Sequence, residues 1–217
     1  MRYILILTIA FSTFAFSVVH DQLAPTEADL WMGNDGTNDF SAISFSTIDG
    51  AYNRWVANDY EPPGPTSIDG FAAHYCYFDD VQTPGDFTIE VYENDLDSAP
   101  FATVSVPVGD ITETDTGWVT PTSGVTVWLG EMTFTSVTGL TYNNTYWVAA
   151  QIDSTINVFN CCVEHLYWDE MYWYGDDGYW IAGSGEWPGN DFETSVRFDG
   201  VAGIESASVG EIKAIFK

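Results

Sequence analysis

The sequence predicts an all-β sandwich or barrel, on three observations. Apolar residues do not recur at helical spacing over any long stretch. Instead, short segments alternate apolar and polar residues and are closed off by Gly, Pro, Asn and Asp. The composition is rich in the β-branched and aromatic residues that suit a pleated, half-buried surface, with 16% aromatic residues. A chain of 217 residues is long enough for one domain with a full core. No repeat of a solenoid or propeller kind is present.

Six strands are predicted in order. Residues 70–78 (GFAAHYCYF) set Phe71, Ala73, Tyr75 and Tyr77 against Ala72, His74, Cys76 and Phe78. Residues 86–92 (DFTIEVY) alternate Phe87, Ile89 and Val91 with Thr88 and Glu90, the pattern of a half-buried strand. Residues 101–106, 125–134, 145–152 and 192–198 supply the other four. The separators are equally legible. Glu61-Pro-Pro-Gly-Pro65 cannot sit inside a strand or helix and is expected to be an exposed loop. Thr83-Pro84-Gly85 and Tyr142-Asn-Asn-Thr145 are expected to be tight turns. Asp176-Asp-Gly178, between Tyr174 and Tyr179, suggests a hairpin.

The two ends differ from this middle. Residues 1–17 (MRYILILTIAFSTFAFS) have the build of a secretory signal: Arg2, then an apolar stretch from Tyr3 to Phe16, with small Ala15 and Ser17 before a cleavage point after Ser17. The folded domain is then expected over 18–202, in a secreted protein that is extracellular or at the cell surface. The stretch is short for a membrane span, so no membrane insertion is expected after cleavage. Residues 203–217 (GIESASVGEIKAIFK) form a short C-terminal tail, in which Ser208 and Glu211 are spaced as a capping box. It is expected to serve sorting or assembly.

Charge narrows the partners. Without Arg2 the chain has 32 acidic residues against Arg54, Arg197, Lys213 and Lys217. No basic face exists to displace counterions from phosphate, so nucleic acid is excluded as a partner, and an anionic lipid surface with it. Such a balance fits colloidal solubility, a salty medium or bound calcium. The cysteines are an odd set: Cys76, Cys161 and Cys162. In an oxidising compartment Cys76 is expected to pair with one of the other two, with a vicinal Cys161–Cys162 bridge as the alternative.

The order of landmarks adds a resemblance. W-V-A-N-D-Y (Trp55 to Tyr60) leads into Ser67-Ile-Asp-Gly-Phe71. D-F-T-I-E-V-Y (Asp86 to Tyr92) precedes Ala99-Pro100, and Gly139-Leu-Thr-Tyr142 leads to Thr145-Tyr-Trp-Val148. The set closes on Asn190-Asp191-Phe192 and Val196-Arg-Phe-Asp-Gly200. This resembles the jelly-roll modules of large secreted and surface proteins of bacteria, with their A-D-D-F opening, I-x-V-Y strand, L-x-x-G-T-Y-W strand and N-D-x-x-F-x-x-x-G ending. Two positions depart: Asn58-Asp59 replaces the paired Asp, and Asn143-Asn144 stands where Gly is usual. The resemblance implies an antiparallel jelly-roll β-sandwich that is not an enzyme and carries a sorting-like tail.

One run concentrates the candidate site. From Tyr167 to Trp187 the chain reads YWDEMYWYGDDGYWIAGSGEW, with eight aromatic residues and five carboxylates and no Lys or Arg. Aromatic faces stack on the C–H surfaces of sugars, and Asp clusters hold hard cations. On a strand, Tyr172 and Tyr174 face away from Trp173, so one set goes to the core and the other is available. Trp168, Trp180, Trp187 and Tyr179 are the candidate ligand-binding residues. Asp176, Asp177, Asn190 and Asp191 are the candidate calcium ligands, and Asn34, Asp35, Asn38 and Asp39 form a second oxygen-rich group. Catalytic signatures such as G-x-S-x-G and H-E-x-x-H are missing. The expected function is binding of a glycan or a surface protein. The alternative is self-association, as a structural subunit of an extracellular fibre or sheath.

Overall fold

The computed structural model describes residues 17–30, 42–44, 46–48, 52–53, 55–62, 64, 66–77, 80–120, 124–142, 144–164, 171–174, 180–182 and 192–202. The expected secretory signal, residues 1–17, lies outside the described residues except for Ser17, and the expected tail 203–217 lies wholly outside them. The described strands are β1 (Ser17–Asp21), β2 (Ala42–Ser44), β3 (Thr47–Ile48), β4 (Tyr52–Asn53), β5 (Trp55–Tyr60), β6 (Thr66–Tyr77), β7 (Phe87–Glu93) and β8 (Ala102–Val106). They continue with β9 (Ile111–Val119), β10 (Thr126–Leu140), β11 (Tyr146–Ile152), β12 (Val158–Glu164), β13 (Met171–Tyr174), β14 (Trp180–Ala182), β15 (Phe192–Thr194) and β16 (Val196–Ala202).

Two antiparallel sheets pack face to face. One runs β1-β16-β6-β10-β9, with β12 alongside the end of β6 and in turn pairing β2 and β15; the other runs β14-β13-β5-β11-β7-β8. With the short strands and β9 set aside, the lateral orders are β1-β16-β6-β10 and β5-β11-β7-β8. Along these eight strands the chain crosses from one sheet to the other at nearly every step, and only β7 and β8 are consecutive in one sheet. Those two interleaved orders are a jelly roll, the expected fold class.

The core explains the alternation. Phe87, Ile89 and Val91 of β7 are fully buried between the sheets, while Thr88 and Glu90 are half-buried on the other side. Phe71, Ala73, Tyr75 and Tyr77 of β6 meet them from the opposite sheet, together with Phe198 and Leu140. Each fully buried apolar side chain of this size contributes roughly 2 kcal/mol before chain entropy is charged against it. Gly85 is required by a close approach: a Cβ there would lie 1.3 Å from the carbonyl oxygen of Asp153. The Thr83-Pro84-Gly85 loop thereby lies directly against the end of β11.

Some expectations change. The proline loop at 61–65 separates β5 from β6 as expected, but it is not an exposed loop throughout. Pro62 and Gly64 are buried, and Gly64 accepts a 2.8 Å hydrogen bond from Thr66 Oγ1. The strand expected at 125–134 continues to Leu140 through two register shifts against β6. The six predicted strands do not include β1 to β5, β9 or β12. Finally, Ala72, His74 and Cys76 on the outer side of β6 are as buried as its inner side, at 0%, 4% and 3% exposure. That outer face carries a second apolar cluster, in which Ala24 and Leu30 join Val127, Cys161 and Val163, with Trp118 packed on it.

The expected bridge from Cys76 is not formed: Cys76 and Cys161 are both buried thiols. Register gives the reason. Phe159 is the partner of Cys76 across β12 and β6, so Cys161 lies two residues further along the strand. That diagonal spaces Cβ atoms by roughly 7 Å, against about 4 Å in a disulfide. Cys162 is paired in register with Thr194 of β15 instead.

Candidate functional site

The aromatic run is attached to the margin of the second sheet. β13 pairs with β5 on the side away from β11, and β14 pairs with β13, which makes β14 the outermost described strand there. The pair is the hairpin expected around Asp176-Asp-Gly178, with Tyr174 opposite Trp180. Register also carries the expected alternation. Trp173 is level with Val56, a core residue, whereas Tyr172 and Tyr174 are level with Ala57 and Trp55. Ala57 belongs to a third apolar cluster, on the outer face of this sheet, with Tyr92, Leu96, Trp147 and Ala149. Trp55 packs against that cluster and remains half-buried.

Trp180 is the one candidate ligand-binding residue whose strand is described. Trp168, Tyr179 and Trp187 lie outside the described residues, as do Asp176, Asp177, Asn190 and Asp191 and the second group at 34–39. Polar groups near the hairpin's sheet are engaged with each other. The Tyr92 hydroxyl donates to Glu90 Oε2 at 2.5 Å, and Asn144 Nδ2 donates to Glu93 Oε1 at 2.7 Å.

Three polar constellations have no counterpart among the expectations. The first ties the sheets together behind β13. Asn58 of β5 donates from Nδ2 to Gln22 Oε1 and accepts from Thr194 Oγ1, and all three residues are buried. An amide has both a donor and an acceptor, so one buried Asn satisfies two neighbours at once.

The second centres on Glu113 of β9. Its Oε1 accepts from the hydroxyls of Tyr75 (2.5 Å) and Tyr77, and its Oε2 accepts from Gln82 Nε2 at 2.6 Å. Desolvation, then Tyr77 and Glu113, push the Tyr75 pKa up; desolvation and Glu113 push that of Tyr77 up against a lowering hydrogen bond from Tyr75, so the phenols stay protonated donors.

The third is a histidine and a serine. His74 Nδ1 lies 2.8 Å from Ser195 Oγ, and Ser195 Oγ accepts the backbone N–H of Ala24 at 2.9 Å. Both side chains are closed off from solvent, and the serine oxygen is held between the ring and the main chain. This pair positions backbone and presents no nucleophile to a substrate. Burial holds the His74 pKa down at about 4.

Electrostatics are one-sided. Arg197 is the one Lys or Arg among the described residues, and it donates three hydrogen bonds to Asp199, at 3.1, 3.3 and 3.1 Å, and one to Glu131 at 2.8 Å. Arg197 and Glu131 lie on either side of Ala72, whose small side chain leaves room for the bridge. Comparison of the chain with protein-family models, curated proteins and solved structures finds no match.

Proposed function

We propose that this chain is a secreted, non-catalytic β-sandwich module of the cell surface or extracellular space, which binds a glycan or a surface protein through its aromatic margin. The observation that carries this reading is the placement of the aromatic run. It is added at the edge of the second sheet as the β13–β14 hairpin, level with half-buried Trp55, and is not woven through the middle of the sandwich. A rigid sandwich presents such a hairpin and its loops without supplying chemistry. Ring stacking from Trp180, Trp187, Trp168 and Tyr179 would carry the contact, and the surplus of carboxylates favours a neutral or cationic ligand. Asp176, Asp177, Asn190 and Asp191 are proposed to hold calcium beside those rings, and the resemblance to bacterial surface jelly-roll modules, with 203–217 as a sorting or assembly tail, belongs to the same proposal.

A glycan array with and without calcium, run on the wild type and on a Trp180→Ala/Trp187→Ala double variant, tests it. Binding by the wild type that drops at least tenfold in the double variant is the expected outcome. Binding that is absent in every condition, or equal in both proteins, removes the glycan platform. A second reading, a self-assembling subunit of a fibre or sheath, is favoured by β9. Its nine residues form an edge strand whose described strand partner is β10, and open edges accept strands from other chains. Regular polymers in electron micrographs of the purified protein would favour this reading over the first.

A further inference from the structure

The chain following β1 crosses the outer face of the first sheet and is held there at four points. Gln22 donates its backbone N–H to Val196 O at 2.8 Å, and Ala24 donates to Ser195 Oγ at 2.9 Å. Glu27 Oε1 accepts the N–H of Val119 at 3.1 Å, and Leu30 forms an isolated antiparallel bridge with Val163. Beneath this strap lie Val127, Cys161, Val163 and Trp118. Ser195 is the hinge of the arrangement. Its backbone donates to Cys161 O (2.7 Å) and accepts from His74 N–H (3.0 Å), and its hydroxyl links the strap to the imidazole.

The hydroxyl has a single proton. Its oxygen has two lone pairs, of which Ala24 N–H takes one; on a neutral ring with hydrogen on Nε2, Nδ1 accepts the serine's proton. The ring itself is 4% exposed and lies 5.0 Å from the Trp118 ring. The groups around it are Ala24 of the strap, Trp118 of β9, Leu129 of β10 in register, Asn160 and Cys161 of β12, and Cys76 two places along β6. One step along the same face, Arg197 and Glu131 flank Ala72 and are already paired with each other at 2.8 Å. The Glu27 carboxylate is engaged by Val119 N–H, beside Trp118. An imidazolium formed here would turn Nδ1 into a donor, so the serine would have to turn its own proton away and take the ring on its second lone pair, with the new charge buried in an apolar surrounding.

We propose that residues 23–30 are an acid-released strap: protonation of His74 undoes its contact with Ser195 and lifts the segment from the sheet, baring the apolar cluster and the thiols beneath, while Gln22 stays bonded to Asn58 and the core between the sheets stays folded. Once the strap is open the ring is hydrated and titrates near its ordinary 6.5, against about 4 when closed. Across that window the open form binds more protons. Opening is therefore favoured as pH falls from 6.5, about tenfold per pH unit and on the order of a hundredfold in all.

Native-state hydrogen exchange on the full chain tests this, corrected for intrinsic exchange, with the interior amides of β11 as the reference. The Ala24 amide is expected to lose about tenfold of its protection per unit between pH 6.5 and 4.5, with β11 unchanged. A His74→Gln variant should show no such slope. Constant protection at Ala24, loss in parallel with β11, or an equal slope in His74→Gln would each overturn the proposal. Should His74→Gln not fold, the wild-type ring resonance decides: a midpoint well below 6 with a coincident shift at Ala24 supports the strap, and a midpoint near 6.5 sinks it.

Discussion

The ring of Tyr75 lies over the bare backbone of Gly130. A Cβ at Gly130 would stand 2.5 Å from Tyr75 Cε1 and 2.6 Å from its hydroxyl oxygen. An aromatic ring laid across a glycine on the neighbouring strand fills the gap that the missing side chain leaves. Here it also fixes the tilt that brings the hydroxyl to Glu113. Gly130→Ala should therefore displace a fully buried ring and cost about 1–3 kcal/mol, as overpacking does. Urea unfolding at neutral pH measures it, and a loss below about 0.5 kcal/mol would show that the ring has room to shift.

Glu113 should matter more than its half-exposed position suggests. Removing its carboxylate takes away the acceptor shared by the buried hydroxyls of Tyr75 and Tyr77, which are left with their bond to each other. Loss of a buried acceptor costs about 1–3 kcal/mol, the loss expected of Glu113→Ala. Glu113→Gln keeps an acceptor oxygen and should lose less than half as much. Equal losses in the two variants would mean that side-chain bulk, and not the acceptor, is what counts.

Asp69 gives a pH dependence of known sign. Desolvation, and then the charge of Asp199, raise its pKa, opposed by a hydrogen bond from its own backbone N–H. A carboxyl that holds its proton more tightly in the folded state than in the unfolded chain loses stability as pH rises through the carboxylate range. Asp69→Asn should thus be more stable than wild type at pH 7, by on the order of 1 kcal/mol or about 3 °C in Tm. The advantage should fade below pH 3.8, the ordinary value for this group. Melting curves at pH 7 and pH 3 check this; a variant less stable than wild type at pH 7 would contradict it.

Salt should stabilise the fold. The chain has a formal net charge of −27, and the one described Lys or Arg, Arg197, is already committed to Asp199 and Glu131. Raising sodium chloride from about 0.01 M to 1 M shortens the screening length from about 30 to 3 Å and quenches most of the remaining repulsion. The expected rise in Tm is about 3–6 °C. Calorimetry in a salt series measures it, and a flat or falling Tm would show that the carboxylates are spaced too widely to repel.

Much of this architecture is local, and local features are legible. Phe87, Ile89 and Val91 alternate because one face of β7 meets the core and the other does not. The Tyr174–Trp180 hairpin follows from an acidic glycine turn between two aromatic strands. The failures share a cause. β9 (ITETDTGWV) is an edge strand with few apolar residues, and its inward Glu113 is satisfied by tyrosines about 38 positions away. Pro62 reads as a surface residue but is covered once β5 and β6 fold into different sheets. Neither fact can be read from neighbours along the chain.

The division is therefore one of range. The sequence by itself determined that this is an all-β chain, where most strands and turns fall, and that its surface is acidic, because each follows from residues within a few positions of one another. Tertiary structure alone decided which strands became neighbours. It interleaved β1-β16-β6-β10 with β5-β11-β7-β8 and set the aromatic hairpin at a margin. It also brought His74 to Ser195 across 121 positions and Asn58 to Thr194 across 136. Such pairs form because a buried donor or acceptor must find a partner wherever packing delivers one, and packing is a property of the whole chain.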